Sequence, residues 1–225
     1  MNNKPEIVSR RSRPAKAPLS RAAIVAAAFD ILKQDGLDGL TLRRVATALD
    51  TGPASLYVYF ANLGELHAEI LDAAQAEVEF PGPGKHGWRA RLKALLTSYM
   101  LVLYNNKGLA QLAMTHIACG PNALRVVETV LALLMEGGVL ETRAALGVDL
   151  LLLHVTAVAA EQSNWRDNGN DFARAKEVFN TLSADDYPLL HASRELLFST
   201  SGKARFLWAL DVIVDGILAA PLPDD

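Results

Sequence analysis

The sequence predicts an all-α protein in two parts, a small three-helix unit followed by a larger helical unit. Three observations predict it. Apolar residues recur at three- and four-residue spacing from about residue 20 to the end, and no stretch alternates as a strand would. Glycine and proline punctuate these periodic segments, at Gly52-Pro53, Pro81-Gly82-Pro83-Gly84, Gly120-Pro121 and Gly137-Gly138. Charge is divided between the parts. The net charge is −3, yet residues 1–64 hold nine Lys and Arg against five Asp and Glu, while the rest hold 13 against 20. A basic small part joined to an acidic large one implies that the first part meets an anionic polymer.

At 225 residues and 51% hydrophobic, with mean hydropathy +0.16, the chain has ample material for a buried core. Its longest nearly apolar run, Leu150–Ala160, is broken by His154 and is too short to span a bilayer, so it reads as a buried helix and no membrane partner is expected. The polar, basic N-terminus has no apolar stretch behind it, and no signal peptide is expected. The single cysteine, Cys119, has no companion for a disulfide or a metal cluster. A cytoplasmic location follows as the expectation.

Residues 1–17 carry Lys4, Arg10, Arg11, Arg13 and Lys16 among prolines, the composition of a disordered basic arm that either touches phosphate or remains a solvated tail. The first helix is expected over Ser20–Asp35, capped by Ser20, with Ile24, Ala27, Ala28, Ile31 and Leu32 inward and Gly36 as a left-handed C-cap. Thr41 caps the next, whose inner face is Leu42, Val45, Ala46 and Leu49. Thr51-Gly52-Pro53 breaks it, with Gly52 taking the turn and Pro53 starting a two-turn helix, Pro53–Phe60, in which Leu56 and Phe60 are core and Val58 packs at the rim. A short helix held across another by such a turn is a helix-turn-helix arrangement, which either forms plain core or lets its second helix enter a DNA major groove. Asn62 and Glu65 form a capping box for a connector helix, Leu63–Phe80, with Leu66, Ile70, Ala73, Ala74 and Val78 on one face.

Behind the Pro-Gly break, further helices are expected over Trp88–Asn105 (Leu92, Leu95, Leu96, Tyr99 and Leu103 inward), Gly108–Ala118, Pro121–Met135, Leu140–Trp165, Phe172–Leu182, Leu189–Leu197 and Lys203–Ala219. Leu140–Trp165 is apolar on nearly all sides, so burial on several is expected.

Thr41–Leu66, with its Leu40-Thr41, Val45-Ala46, Leu49, Leu56-Tyr57 and Phe60, resembles the DNA-binding domain of the tetracycline-repressor (TetR) family of transcriptional regulators. The resemblance covers residues 18–66 and implies that Tyr57 contacts the phosphate backbone and that Ala54 and Ser55 read base edges, with methyl or hydroxyl contacts in place of arginine–guanine pairs. Thr51 and Tyr59 complete the exposed side. Arg43 and Arg44 stand unfavourably in the first turn of their helix, where a phosphate would offset the dipole, and Asn62 begins a helix whose amides face phosphate. The chain departs from the family at Leu63, where members commonly carry Lys.

The ending Asp186–Leu218, D-Y-P-L-L…F-L-W-A-L-D-V-I-V-D-G-I-L, resembles the regulatory domain of the same family, over residues 84–220. That resemblance implies a homodimer in which two long helices, Leu140–Gln162 and Lys203–Ala219, pair with their twins. The stripe Phe206, Leu207, Leu210, Ile213, Val214 and Ile217 is the expected interface. A small, largely apolar effector is expected among Tyr99, Met100, Tyr104, His116, His154, Gln162 and Trp165. His116, five residues before Pro121, stands where tetracycline-binding members have a metal-associated histidine, and Glu161 lies near their metal-associated acid. Two such residues are too few for a metal site, and neither metal nor cofactor is expected. No nucleophile elbow or phosphate-binding glycine loop is present, so catalysis is not expected. The resemblance therefore implies a ligand-released repressor on palindromic operator DNA. A helical enzyme or a protein-interaction scaffold is the alternative.

Overall fold

The computed structural model describes residues 18–82, 84, 86–169 and 172–223, and the basic arm lies outside them. Among the described residues there are eleven α-helices and no strand.

α1 (Arg21–Asp35) starts where the Ser20 hydroxyl accepts the Ala23 N–H at 3.2 Å and ends at Gly36, whose φ of 75° returns its N–H to the Leu32 carbonyl. Ile24, Val25, Ala28, Ile31 and Leu32 are buried. α2 (Leu42–Ala48) is capped as expected by Thr41, which accepts from the Arg44 N–H at 3.3 Å. The turn after it differs from expectation. Asp50, not Gly52, takes the left-handed conformation, with φ 49°. A short polar side chain tolerates that region.

α3 (Pro53–Leu56) is half the expected length. Residues 57–59 continue as a turn, because the Tyr59 and Phe60 N–H groups both reach back to the Leu56 carbonyl. Leu56 and Phe60 are core as expected, but Val58 is 81% exposed rather than packed. α4 (Leu63–Gln75) also ends early, and Ala73 faces outward. Its capping box forms with a shift: Asn62 Oδ1 accepts the Glu65 N–H at 2.9 Å, while Glu65 reaches past Asn62 to the Ala61 N–H at 2.7 Å.

The larger part is a bundle. α5 (Trp88–Asn105) lies along α7 (Pro121–Glu136) and α8 (Glu141–Asn168), and α11 (Gly202–Ala219) packs on α8. The short α6 (Leu109–Ala113) touches α4, α5 and α8. α4 meets α1 on one side and α5, α6 and α7 on the other, so buried apolar side chains run from Ile24 to Ile217 in one contiguous cluster. α8 is long and apolar enough to cross a membrane by composition alone, but it is packed into this bundle. It is not buried on several sides in the single chain: Leu140, Leu146, Leu150 and Leu153 are 49–65% exposed.

α9 (Phe172–Asn180) and α10 (Pro188–Leu197) contain no buried residue and touch the bundle at Phe172, whose ring lies near Trp165 and Arg205, and at the Leu197 carbonyl, which accepts from Arg205 at 3.5 Å. Phe198 holds them together, edge-on to Phe172 and Phe179 at 5.0 and 5.2 Å between ring centroids.

Candidate DNA-binding surface and ligand pocket

The structure sorts the eight DNA-contact candidates into two groups. Arg43, Ala54 and Tyr57 are exposed, Thr51 and Ser55 are half-buried beside them, and Val58 joins this face. Among the described residues Arg43 makes no ion pair. The other three are engaged within the fold. Arg44 pairs with Asp35 at the end of α1, so a carboxylate rather than a phosphate already offsets its position. The Tyr59 hydroxyl donates to the Leu19 carbonyl at 2.7 Å. The Asn62 side chain caps α4. Arg21 is likewise internal: it lies over the Phe60 ring and pairs with Glu65 and Glu69 at 2.9 and 2.6 Å. The Ala61 N–H and Arg21 hold the Glu65 carboxyl below its ordinary pKa.

The seven ligand candidates do not converge. Tyr99 and His116 line a central cavity of about 320 Å³ between α4, α5, α7, α8 and the segment linking α6 to α7. His154, Gln162 and Trp165 line a second, with Glu161 and Arg205, beside the start of α11. Met100, Tyr104 and Gln162 line a third between α5, α8 and α11. Sequence spacing cannot separate these, because α5 and α8 each turn different residues toward different neighbours.

The central cavity has the richer chemistry. Its apolar wall includes Ala113, Met114, Val126, Val127 and Leu152, and its polar groups are Gln75, Tyr99, His116, Asp149 and Thr156, with no Lys or Arg. Burial pushes the Tyr99 hydroxyl pKa up, and a hydrogen bond with Thr156 opposes it. His116 uses both ring nitrogens: Nε2 lies 3.2 Å from His67 Nδ1 and Nδ1 lies 2.9 Å from the Thr115 hydroxyl. His67, on α4, is 7% exposed, and its Nε2 has no partner among the described residues. Burial, with His116 adding to it, pushes its pKa down to about 4, so it is neutral at pH 7. His67 and Gln75 were missed by the sequence reading. The available signal was polar residues on the inward side of an otherwise apolar helix.

A metal-bound ligand of the tetracycline kind does not fit these residues. His116 is occupied on both nitrogens, Glu161 lines a different cavity, and among the described residues no three His, Cys, Asp or Glu gather as a metal site.

The interface stripe is also reassigned. Phe206, Leu210, Val214 and Ile217 are 0–7% exposed within the single chain, and only Leu207 and Ile213 are partly open. The most apolar face of α11 is spent on its own subunit, where Ile217 fills the space left by Gly147 on α8. What remains exposed is a second face, with Trp208, Val212 and Gly216 on α11 and Leu146, Leu150, Leu153 and Ala157 on α8.

The family model described as "Bacterial regulatory proteins, tetR family" matches residues 24–74, and "Tetracyclin repressor-like, C-terminal domain" matches 80–220. The chain is 30% identical over 218 residues to the HTH-type transcriptional repressor DrrR1 of Streptomyces coeruleorubidus, covering 92% of this chain and 80% of that one. It is 27% identical to the class D tetracycline repressor protein of Escherichia coli, with 89% of each covered. Among solved structures, apo ActR from Streptomyces coelicolor superposes with a TM-score of 0.81 at 35% identity, covering 91% of this chain and 97% of that one. ActR is also known in complex with actinorhodin, at the same identity and TM-score, covering 90% of this chain and 98% of that one.

Proposed function

The chain belongs to the tetR family of bacterial regulatory proteins, and from that premise we propose how this member divides the labour among its residues. It is a ligand-responsive, DNA-binding transcriptional repressor that acts as a homodimer, not an enzyme. We assign residues 18–66 to the DNA-binding head, with α4 as connector, and residues 84–220 to regulation and dimerisation. The work is done in the cytoplasm, where the DNA is.

Arg43, Thr51, Ala54, Ser55 and Tyr57 form the DNA face, with Val58 added. Methyl groups of Ala54 and Val58 suit thymine, and Tyr57 and Arg43 suit phosphate. The central cavity is the effector site, and the observation that carries this is its shared wall. Leu71 and Gln75 on α4 line the cavity, and the same helix continues into the DNA-binding head. An effector that displaces α4 changes the spacing of two heads that must meet successive turns of DNA, about 34–36 Å apart. Hydroxyl, amide, imidazole and carboxylate groups on apolar walls without a cation suit an oxygen-bearing molecule that is not anionic, and ActR, a relative of this chain, is known in complex with actinorhodin. The exposed faces of α8 and α11 form the dimer contact.

The test is a titration of effector into free protein and into protein saturated with operator. Linkage requires operator to weaken effector binding by the same factor as effector weakens operator binding. Equal affinities in both titrations overturn the assignment of the cavity.

A further inference from the structure

α7 begins without a cap of its own. Its N-cap residue is Gly120, which offers no side chain to the first-turn amides. The acceptor comes from another helix: Asp72 of α4 takes the Ala123 backbone N–H on Oδ1 at 2.8 Å and the Asn122 side-chain amide on Oδ2 at 3.0 Å. A carboxylate at a helix N-terminus is favoured by the free N–H groups and by the helix dipole. The fit is close enough to exclude a side chain at the capping position, since a Cβ on Gly120 would run into the Asp72 carboxylate. The bond sits in the wall of the central cavity. Ala123, Val126 and Val127 of α7 line it from one side, and Leu71 and Gln75, flanking Asp72 on α4, line it from the other.

We propose that Asp72 is a positioning residue for repression: it clamps the connector helix to the first turn of α7 and so transmits displacement of the cavity wall to the DNA-binding head. This rests on the reading of the central cavity as the effector site. The bond is directional, so when α7 shifts against a ligand, α4 either follows or loses it. The carboxylate replaces a capping side chain that α7 would otherwise carry itself. α7 therefore has its first turn capped only while α4 is in place.

The test uses the full-length dimer with a spin label on each head, at Ala26→Cys in a Cys119→Ser background, and an operator duplex selected from random DNA by the unmodified protein. Asp72→Ala removes the clamp, and Gly120→Ala pushes it aside from the opposite direction. Each should shift or broaden the distance between the two labels and weaken operator binding on the order of tenfold. The double variant should be no worse than either single one, because removing the carboxylate removes the clash. Asp72→Asn keeps an acceptor oxygen and should stay near the parent distance. Unchanged distances in folded Asp72→Ala and Gly120→Ala protein, or losses that add in the double variant, overturn the proposal. If the parent protein selects no duplex, the regulator reading fails instead, and the label distances still decide the clamp.

Discussion

Replacing His67 with Leu should remove a defined part of the protein's acid sensitivity. The folded chain holds this imidazole neutral, its pKa lowered to about 4 by burial and by His116. In the unfolded chain a histidine titrates near 6.5. Well above pH 6.5, at about pH 7.5, both states are almost entirely neutral at this residue and pH has little effect through it. As pH falls from 6.5 towards 4, the unfolded chain gains a proton that the folded chain refuses, and stability declines. The gap of roughly 2.5 pH units corresponds to about 3 kcal/mol once pH is below both values, and to about 2 kcal/mol at pH 5. Urea unfolding of both proteins at one fixed dimer concentration, at about pH 7.5 and about pH 5, measures it. The parent protein should lose about 2 kcal/mol more than His67→Leu between the two conditions, with groups remote from His67 cancelling in the comparison. Equal losses would refute the neutral, buried imidazole as the origin.

Other outcomes follow from the reassigned residues. Leu150→Glu places a charge on the exposed face of α8 and should yield a folded monomer by sedimentation, whereas Leu210→Glu, at a fully buried position, should cost several kcal/mol and unfold the subunit. Tyr59→Phe removes the hydrogen bond to the Leu19 carbonyl and should lower stability by about 1 kcal/mol while leaving the salt dependence of operator binding unchanged. Leu63→Lys should steepen the log–log salt slope by about 2 for the dimer, one phosphate per subunit, as read by fluorescence anisotropy across a salt series.

Helices and their caps were legible because their signals are local. Ser20, Thr41 and Asn62 each cap the helix that follows them, and Leu56 and Phe60 are core as their spacing implies. Partnerships between helices were not legible. Arg44 reads as a free cation until α1 brings Asp35 to it, and Tyr59 reads as a surface aromatic until Leu19 accepts its hydroxyl proton. The α11 stripe shows the limit most clearly. Periodicity finds the most apolar face of a helix, but here that face is buried within the same chain, and the face left exposed carries the weaker pattern. The ligand candidates scattered for the same reason: type and spacing name residues that suit a pocket, but not which side of α8 each one faces.

The α9–α10 hairpin has a consequence for how this protein can diverge. Its two helices lean on one another through three phenylalanine rings and bury no residue in the body of the subunit. Selection for a stable core therefore exerts little pull on residues 173–197, beyond the ring contacts of Phe179, while the positions around Leu95 or Val130 are held by close packing. Length and composition can drift there at little risk to folding. Its backbone amides should exchange with solvent hydrogen ahead of the rest of the chain, as a local unit that opens on its own. The hairpin is thus the segment in which a lineage can try new surface chemistry while the packed bundle around the central cavity stays as it is.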